Sequence, residues 1–375
     1  MDTNDTDIDT VIIGAGQAGL ATGYFLRQRG IPFVVLDASA RVGDHWRRQW
    51  DSLRLYSPAH VDGLPGLPFP AERWTFPGKD AVGDYLESYA RTFALPVRLE
   101  TRVQALDPAA DGGEGYVVTT DRGRWTCRNV VVCTGTFGRT GSVPGVAAEL
   151  DPAILQLHSS EYRRPSQVND GPVLVVGASH SGTDIAYELA ETHPTILAGR
   201  DCGEIPPRLG SPAFRMLFPV LLFAWKHVLT RRSPMRAKLM EELRHHGGPM
   251  LRVKRRDLLE RGVERVTSRV EEVRDGLPVV DGTPREVSTV VWATGFRQVF
   301  DWIHLPVIGD DGWPREMRGV SPDAPGLFFC GLCFQYAFSS MVLPGVGRDA
   351  AYVADRITAR SRKLAKATSG LPTAA

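Results

Sequence analysis

The sequence predicts an α/β fold made of two Rossmann-like dinucleotide-binding domains, the second inserted into the first. Three observations lead to this prediction. A strand, glycine-rich turn, helix and second strand occur twice along the 375 residues, the two copies have the same internal spacing, and each has a later buried strand that runs into a Thr-Gly turn. We place the first domain at residues 1–165 and 298–375, and the second at 166–297.

The first copy begins with the apolar, β-branched run Thr10–Ile13. This run leads into Gly14-Ala15-Gly16-Gln17-Ala18-Gly19, a helical stretch at Leu20–Gln28, and the strand Phe33–Leu36, which ends in Asp37. In such a turn the first glycine allows a sharp bend, the second lets the backbone approach a pyrophosphate, and the third allows close packing of helix on strand. The Asp37 carboxylate can accept hydrogen bonds from a ribose diol and would repel a 2′-phosphate, which suits the adenosine half of FAD or NAD.

The second copy begins with the strand Val173–Val176. It continues into Gly177-Ala178-Ser179-His180-Ser181-Gly182, the helical stretch Thr183–Glu191 and the strand Thr195–Ala198, followed by Gly199 and Arg200. Ser179 replaces the middle glycine, and its hydroxyl can hydrogen-bond a phosphate.

Arg200 occupies the position that Asp37 has in the first copy. Arg200 lies 23 residues after Gly177, as Asp37 lies 23 residues after Gly14. A guanidinium there can bind a 2′-phosphate through two hydrogen bonds, so the sequence favours NADP(H) over NAD(H) at this site. The competing interpretation is an exposed arginine that pairs with a neighbouring carboxylate.

The later pair of strands strengthens the repeat. Val130–Cys133 runs into Thr134 and Gly135, and Val290–Ala293 runs into Thr294, Gly295 and Phe296. The threonines lie 120 and 117 residues after the first glycines of their respective turns. We therefore expect these residues to line the two dinucleotide sites.

Over nearly its whole length the chain resembles the class B flavin monooxygenases, and among them the YUCCA-like and flavin-containing monooxygenase branches. The likeness rests on the two glycine turns, on Thr294-Gly295-Phe296, and on the segments Gly43-Asp44-His45-Trp46, Arg54-Leu55-Tyr56-Ser57-Pro58, Pro325–Gly331 and Gly345–Ala350. The resemblance implies FAD at the first site, NADPH at the second, and Trp46 and Arg54 near the flavin.

Two positions depart from the family pattern. The family motif F-x-G-x-x-x-H-x-x-x-Y is half kept: His158-Ser159-Ser160-Glu161-Tyr162 matches, but Pro152 and Ile154 replace its Phe and Gly. The final tyrosine is atypical of a Baeyer–Villiger enzyme. Tyr56 stands where several flavin-containing monooxygenases carry a catalytic asparagine.

The chemistry that the resemblance implies is oxygen transfer. NADPH reduces FAD, dioxygen adds to the reduced flavin, and the flavin hydroperoxide passes one oxygen atom to a small organic substrate, which is an amine, a sulfur compound or the carbonyl of a 2-oxo acid. The alternative is a reductase that passes electrons from NAD(P)H to a protein or quinone. A third interpretation, a flavin-bearing redox sensor, is disfavoured by the largely intact second site.

Three residues are candidates for a catalytic role: Tyr56, His158 and Gln335. For His158 the competing interpretation is a linker histidine satisfied locally, and for Gln335 it is packing. Trp46 suits packing on a flavin or closing the cleft, with core packing as its alternative. Cys330 and Cys333 form a C-x-x-C pair in a terminal apolar strand, where we interpret them as small buried hydrophobic residues and not as a redox pair.

Composition, charge and motifs argue against several other classes of protein. A net charge of +1 gives no electrostatic reason to expect nucleic acid or an anionic membrane as a partner, and neither an H-E-x-x-H nor a paired C-x-x-C metal motif is present. Five cysteines and an N-terminus without a signal-peptide pattern favour a reducing cytoplasm. The most apolar stretch, Ala213–Leu229, contains charged residues and so does not predict an integral membrane span.

That apolar stretch belongs to a helical insert at about residues 202–256, which interrupts the second repeat. We interpret the insert as a lid over an apolar substrate channel, with a plain packing insertion as the alternative. Peripheral membrane contact and a homodimer stay open.

Overall fold

A computed structural model describes residues 5–109, 114–136, 140–234 and 236–369. In chain order its strands are β1 (Asp5–Ile13), β2 (Phe33–Leu36), β3 (Val97–Arg98), β4 (Val103–Pro108), β5 (Tyr116–Thr120), β6 (Gly123–Val132), β7 (Thr140–Gly141), β8 (Leu155–His158), β9 (Val173–Val176), β10 (Thr195–Ala198), β11 (Glu264–Val266), β12 (Val273–Arg274), β13 (Leu277–Val280), β14 (Thr283–Pro284), β15 (Thr289–Trp292), β16 (Phe296–Arg297) and β17 (Leu327–Phe329).

The α-helices are α1 (Gln17–Gln28), α2 (Asp44–Arg47), α3 (Lys79–Thr92), α4 (His180–Leu189), α5 (Pro212–Phe223), α6 (Arg236–His245), α7 (Arg255–Glu260) and α8 (Leu343–Ser369). Short 3-10 helices occur at Ala59–Val61, Gly145–Glu149, Pro165–Gln167 and Phe338–Met341, and a π-helical turn at Ala224–Val228 follows α5.

The first sheet has seven strands in the order β3-β2-β1-β6-β5-β4, and β17 pairs with the second half of β6. β1 is parallel to both β2 and β6, as a Rossmann unit requires. Both faces of these central strands are buried because their apolar residues contact two separate cores. One core contains residues of α1, α3 and α8, and the other contains ten residues from the segment 300–334, among them Phe300, Trp313 and Phe329.

The second sheet has five strands in the order β11-β10-β9-β15-β8, and every pairing in it is parallel. Its centre, β9 with β10 and β15, is fully buried. The strands predicted at Phe33–Leu36, Val173–Val176 and Thr195–Ala198 have these bounds in the structure. Two Rossmann-like units are thus present, and the fold prediction is confirmed.

The strand β8 corrects one detail of the predicted division. We placed Leu155–His158 in the first domain, but β8 pairs with β15 in the second sheet. The connection between the two sheets comes earlier, at β7, which pairs antiparallel with β16 on the return connection. A four-residue strand before a Pro-containing linker gives no local signal of the sheet it will join, because that choice depends on its pairing partner. The remaining domain boundaries stay a prediction.

The segment between β10 and β11 contains α5 and α6, in the region predicted as a helical insert, followed by α7, most of which lies beyond the predicted end at residue 256. α5 begins at Pro212, and the Ser211 hydroxyl accepts a hydrogen bond from the Phe214 N–H over 3.1 Å as the N-cap. None of the described helices is long and apolar enough to cross a membrane.

Candidate active site

The first glycine turn lies between β1 and α1. Two of its three glycines are tightly packed, and the middle one is not. A Cβ atom built on Gly14 would lie 2.7 Å from the carbonyl oxygen of Cys133, and one on Gly19 would lie 1.9 Å from that of Gly14. By contrast, a Cβ atom on Gly16 has no atom within 4 Å among the described residues. The outer glycines are therefore needed for close packing, and the middle one leaves room for a ligand to approach the backbone.

Asp37 lies at the end of β2 beside this turn. Its carboxylate accepts hydrogen bonds from the backbone N–H of Ala15 over 2.7 Å and of Ser39 over 2.8 Å. These two bonds fix the carboxylate at the edge of the turn, where the fold places the acid that binds ribose.

Gln17 and Ala18 connect the same turn to the end of the chain. The Gln17 amide donates to the carbonyl oxygen of Met341 over 2.9 Å, just before α8. The Cβ of Ala18 lies 2.7 Å from the point where Gly331 would carry a Cβ. The predicted closing segment is therefore packed against the first turn.

A cavity of about 230 Å³ opens at the carboxyl ends of β1 and β2. Thr134 and Gly135 line it together with Ile13, Leu36, Ala38, residues 101–103, Thr140, Gln298, Val299 and Trp302. Ligands of open α/β sheets bind at this edge. The open Gly16, the fixed Asp37 and this cavity together fit the adenosine pyrophosphate half of a dinucleotide.

The second glycine turn has the same packing but a different middle residue. A Cβ atom on Gly177 would lie 2.3 Å from the Ala293 carbonyl oxygen, and one on Gly182 would lie 1.7 Å from that of Gly177. Ser179 is not open in the way Gly16 is. Its hydroxyl donates to the carbonyl oxygen of Gly248 over 3.0 Å, so residues 246–250 lie against the turn.

The packing of residues 246–250 over the second glycine turn was not predicted from the sequence. A Cβ atom on Gly247 would lie 2.5 Å from the Ser179 Cβ, and one on Gly248 would lie 2.9 Å from the His180 ring. The Gly247-Gly248 pair was the available signal, because only residues without side chains fit so close to Ser179 and His180.

Arg200 follows β10 and is exposed. Among the described residues its guanidinium makes no hydrogen bond or ion pair, so the alternative of a local carboxylate partner finds no support in the structure. A free guanidinium here can bind a 2′-phosphate.

Tyr56 contacts the second dinucleotide unit, although it lies in the first. Its hydroxyl donates to Oδ2 of Asp184 in α4 over 2.9 Å, and its ring lies 5.0 Å from the ring of His180. Arg252 forms an ion pair with the same Asp184 oxygen over 2.9 Å. Asp184 and Arg252 were not predicted from the sequence, because one is in a helix interior and the other in the insert, and only the fold brings them together.

Burial shifts the pKa values of Tyr56, Asp184 and His180. It raises the pKa of the Tyr56 hydroxyl well above its usual value, and it raises the pKa of Asp184 against the opposing charge of Arg252. Burial also lowers the pKa of His180 to about 4, so its imidazole is neutral at pH 7. The Tyr56 hydroxyl is therefore protonated at pH 7 and can donate to Asp184, in the first half of α4.

His158 lies where the chain crosses twice between the two sheets. Its Nε2 atom is 2.9 Å from the carbonyl oxygen of Gly295, and its ring lies 5.0 Å from the ring of Phe296. A Cβ atom on Gly141 would lie 2.6 Å from the same imidazole. His158 thus contacts both connections, and burial lowers its pKa. The other ring nitrogen, Nδ1, lies 2.8 Å from the Ser160 hydroxyl oxygen, so both ring nitrogens have local partners, and the geometry agrees with an interdomain position.

Thr294 belongs to the same crossing. Its hydroxyl donates to the Ser142 carbonyl oxygen, while the Ser142 N–H donates to the Gly295 carbonyl oxygen over 2.9 Å. These bonds hold the two connections together.

Trp46 and Arg54 differ in their surroundings. Trp46 is half-buried and packs against the core of the first unit and that of the second. Arg54 is exposed, and its guanidinium donates to the Phe76 carbonyl oxygen over 3.3 Å. Ser181, the second residue of α4, is half-buried. Their roles toward a cofactor stay predictions.

Gln335 is fully buried, and its amide bonds to the backbone at both ends. Nε2 donates to the Phe329 carbonyl oxygen over 3.0 Å, and Oε1 accepts from the Leu332 N–H over 3.3 Å. This geometry favours the packing alternative over contact with flavin or substrate.

Cys330 and Cys333 are buried and free. Burial raises the pKa of the Cys333 thiol to about 11. A redox dithiol needs an accessible thiolate, so the geometry favours the interpretation of these cysteines as small hydrophobic residues.

Comparison with known proteins identifies the family. The family model described as pyridine nucleotide-disulphide oxidoreductase matches residues 11–201, which is more than half of the chain. The chain belongs to this family. An uncharacterized CzcO-like oxidoreductase of Geobacillus kaustophilus is 35% identical over 353 residues, covering 93% of this chain and 98% of the relative. Indole-3-pyruvate monooxygenase YUCCA1 of Oryza sativa is 30% identical over 399 residues, covering 94% and 92%.

Solved structures share the fold of this chain. A mutant flavin monooxygenase from Stenotrophomonas maltophilia is 29% identical, with a TM-score of 0.75 over 95% of this chain and 99% of that one. The enzyme OTEMO, solved in complex with FAD and NADP, shares the fold at 20% identity, with a TM-score of 0.67 over 95% and 86%. The predicted resemblance to flavin monooxygenases is confirmed, and so is the prediction of an oxidoreductase.

Proposed function

We propose that this oxidoreductase is an FAD-dependent monooxygenase that consumes NADPH and transfers one oxygen atom of O₂ to a small organic substrate. The observation that carries the proposal is the difference between its two dinucleotide turns. The first offers an open Gly16 beside the fixed carboxylate of Asp37, and the second ends in Arg200, whose guanidinium has no partner among the described residues. The first arrangement suits an unphosphorylated ribose, and the second suits a 2′-phosphate.

When bound, FAD would supply the redox and oxygen-activating chemistry, with NADPH as the source of hydride. The protein's part is binding and orientation. The first turn and the start of α1 would hold the FAD pyrophosphate through backbone N–H groups, with Asp37 on the ribose. The second turn and the start of α4 would hold NADPH, with Arg200 on its 2′-phosphate.

Tyr56 and Trp46 lie between the two units. Because the Tyr56 hydroxyl is bonded to Asp184 and its ring contacts His180, it fixes the loop after α2 against the start of α4. Trp46 packs on both cores and so excludes water from the same junction. We infer that these two residues position the cofactor rings relative to each other.

The buried state of Cys330 and Cys333 favours oxygen as the electron acceptor over a disulfide. The substrate classes that fit are an amine, a sulfur compound or the carbonyl of a 2-oxo acid; the first two accept oxygen at a heteroatom and the third at carbon.

Isotope labelling tests the proposal. The FAD-loaded protein is given NADPH, ¹⁸O₂ and one candidate acceptor from each class, and the products are analysed by mass spectrometry. We expect one ¹⁸O atom per product and one NADPH oxidised per product. Stoichiometric reduction of a quinone or protein acceptor, with no ¹⁸O in any product, would instead establish the reductase alternative.

A further inference from the structure

The helix α5 presents apolar side chains to solvent. Met216, Val220 and Phe223 are spaced four and three residues apart and so share one side of the helix. They are 81%, 63% and 61% exposed, and Val228 in the following π-helical turn is 54% exposed. We call these four residues the outer face of α5. The opposite side of the helix is also apolar, since Phe214 and Phe218 are buried against the body of the protein.

An exposed apolar stripe on a helix that already buries its other side is not explained by folding. A helix at the surface of a monomeric protein normally turns charged residues to water. Exposed apolar patches of this kind mark a surface that is covered in use.

The chain around this face is basic. Residues 205–240 contain no Asp or Glu, although the whole chain has 43 of them and a net charge of +1. The same stretch contains seven basic residues: Arg208, Arg215, Lys226, Arg231, Arg232, Arg236 and Lys238. Arg208 and Arg231 are paired with Asp257 and Glu316, while Arg215 and Arg232 are exposed.

A tryptophan lies beside α5, next to Arg215 of that helix. Trp74 is half-buried, and the guanidinium carbons of Arg73 and Arg215 lie 5.8 Å and 5.6 Å from its ring. Trp74 also lies 6.4 Å from the ring of Phe218, on the buried side of α5. Tryptophan between cationic side chains is typical of the boundary between lipid headgroups and hydrocarbon.

Charge decides between the occupants. A symmetric contact with a second copy of this chain would bring two acid-free, basic segments together, and like charges across an interface oppose binding. An anionic lipid surface neutralises the basic residues and covers the apolar face at the same time. We propose that the outer face of α5 docks on an anionic membrane surface, with Met216, Val220 and Phe223 inserted at headgroup level.

Vesicle sedimentation tests the proposal with the full-length, FAD-loaded protein. Vesicles of phosphatidylcholine alone are compared with vesicles containing about one third phosphatidylglycerol. We expect binding to the anionic vesicles, weaker binding in high salt, and little binding to phosphatidylcholine alone. A Met216→Glu, Phe223→Glu double variant should lower the partition coefficient by about tenfold or more, because it removes insertion and reduces the positive charge.

Leu259→Glu is the matched control, because Leu259 is 76% exposed on α7, outside the outer face. It should bind like the wild type, and flavin content per chain should show that both variants are folded. Equal binding by the double variant and the control overturns the proposal, and so does failure of the wild type to bind anionic vesicles. Self-association that the double variant abolishes, without vesicle binding, would assign the face to a second copy and also overturns it.

Discussion

The hydroxyl of Ser179 donates a hydrogen bond of 3.0 Å to the carbonyl oxygen of Gly248. The bond joins the second glycine turn to a segment 69 residues later, which is itself held to Gly203 through the Met250 N–H. The corresponding position of the first turn, Gly16, has nothing within 4 Å among the described residues. The two copies of one motif thus differ in how accessible their middle residue is.

Removal of this bond should loosen the covering segment. The Met250 N–H donates to the Gly203 carbonyl oxygen over 2.9 Å, so its hydrogen exchange reports opening. A hydrogen bond contributes about 0.5–1.5 kcal/mol, so Ser179→Ala should speed exchange at Met250 roughly two- to tenfold. The amide of Gly14, in the first turn, is the internal control and should be unchanged. Unchanged exchange at Met250 would show that Ser179 does not hold the segment.

Arg200 should distinguish NADPH from NADH. Loss of a charge-assisted hydrogen bond costs about 1.5–3 kcal/mol, so Arg200→Ala should weaken NADPH binding by about 10- to 150-fold and leave NADH binding nearly unchanged. Arg256→Ala, an exposed arginine on α7, is the control. Binding is measured by titration of each nucleotide. Equal losses for the two nucleotides would contradict the role assigned to Arg200.

Substitutions in the first glycine turn should have separate effects on FAD binding and on folding. Because a Cβ on Gly16 meets no described atom, Gly16→Ala should leave the unfolding temperature of the apoprotein nearly unchanged while weakening FAD binding by about tenfold or more. Gly145→Ala is the control, because a Cβ on Gly145 also has no described atom within 4 Å, and this variant should bind FAD normally. Gly19→Ala should prevent folding, since its Cβ would lie 1.9 Å from the Gly14 carbonyl oxygen. Normal flavin content in Gly16→Ala would place the pyrophosphate elsewhere.

Asp62 should make stability depend on pH. It is fully buried and accepts a hydrogen bond from the Ser57 hydroxyl over 2.5 Å, and burial raises its pKa from 3.8 to about 7. Between these values the folded protein keeps a proton that the unfolded chain has lost, so the free energy of unfolding falls as pH rises.

The Asp62→Asn variant should lose this dependence, because the amide resembles the protonated acid. Relative to it, the wild type should lose a few kcal/mol of stability between about pH 4 and pH 8 in urea unfolding. Asp301→Asn, at an exposed position, should follow the wild type. Parallel pH profiles for wild type and Asp62→Asn would mean that Asp62 ionises normally.

Thiol labelling should separate the one partly exposed cysteine from the four buried ones. Cys202 is half-buried, and Cys127, Cys133, Cys330 and Cys333 are buried. We expect a disulfide reagent to label Cys202 first and the others only after unfolding, because burial raises the pKa of Cys127 and of Cys333. Cys333→Ala should keep NADPH oxidation. Loss of NADPH oxidation in Cys333→Ala, together with rapid labelling of Cys330, would favour a dithiol mechanism.

Local sequence was sufficient to predict the two Rossmann units. Three predicted strands have the observed bounds, and the glycine turns lie between strand and helix as expected. Such predictions succeed because a β-branched run, a glycine that must adopt positive φ and a following helix are determined by residues close in the chain. The equal spacing of Asp37 and Arg200 likewise depends only on position within the repeat.

The tertiary structure decided what surrounds those units. The sheet that β8 joins, the contact of Tyr56 with Asp184 and Arg252, and the cover of Ser179 by Gly248 all join residues far apart in the chain. The same holds for Gln335, whose buried amide bonds to the backbone, and for the solvent-facing side of α5. The residue types show that these side chains can form hydrogen bonds or pack. Their partners depend on how the two sheets and the insert pack together, because contacts between residues far apart in the chain produce no periodic pattern in the sequence.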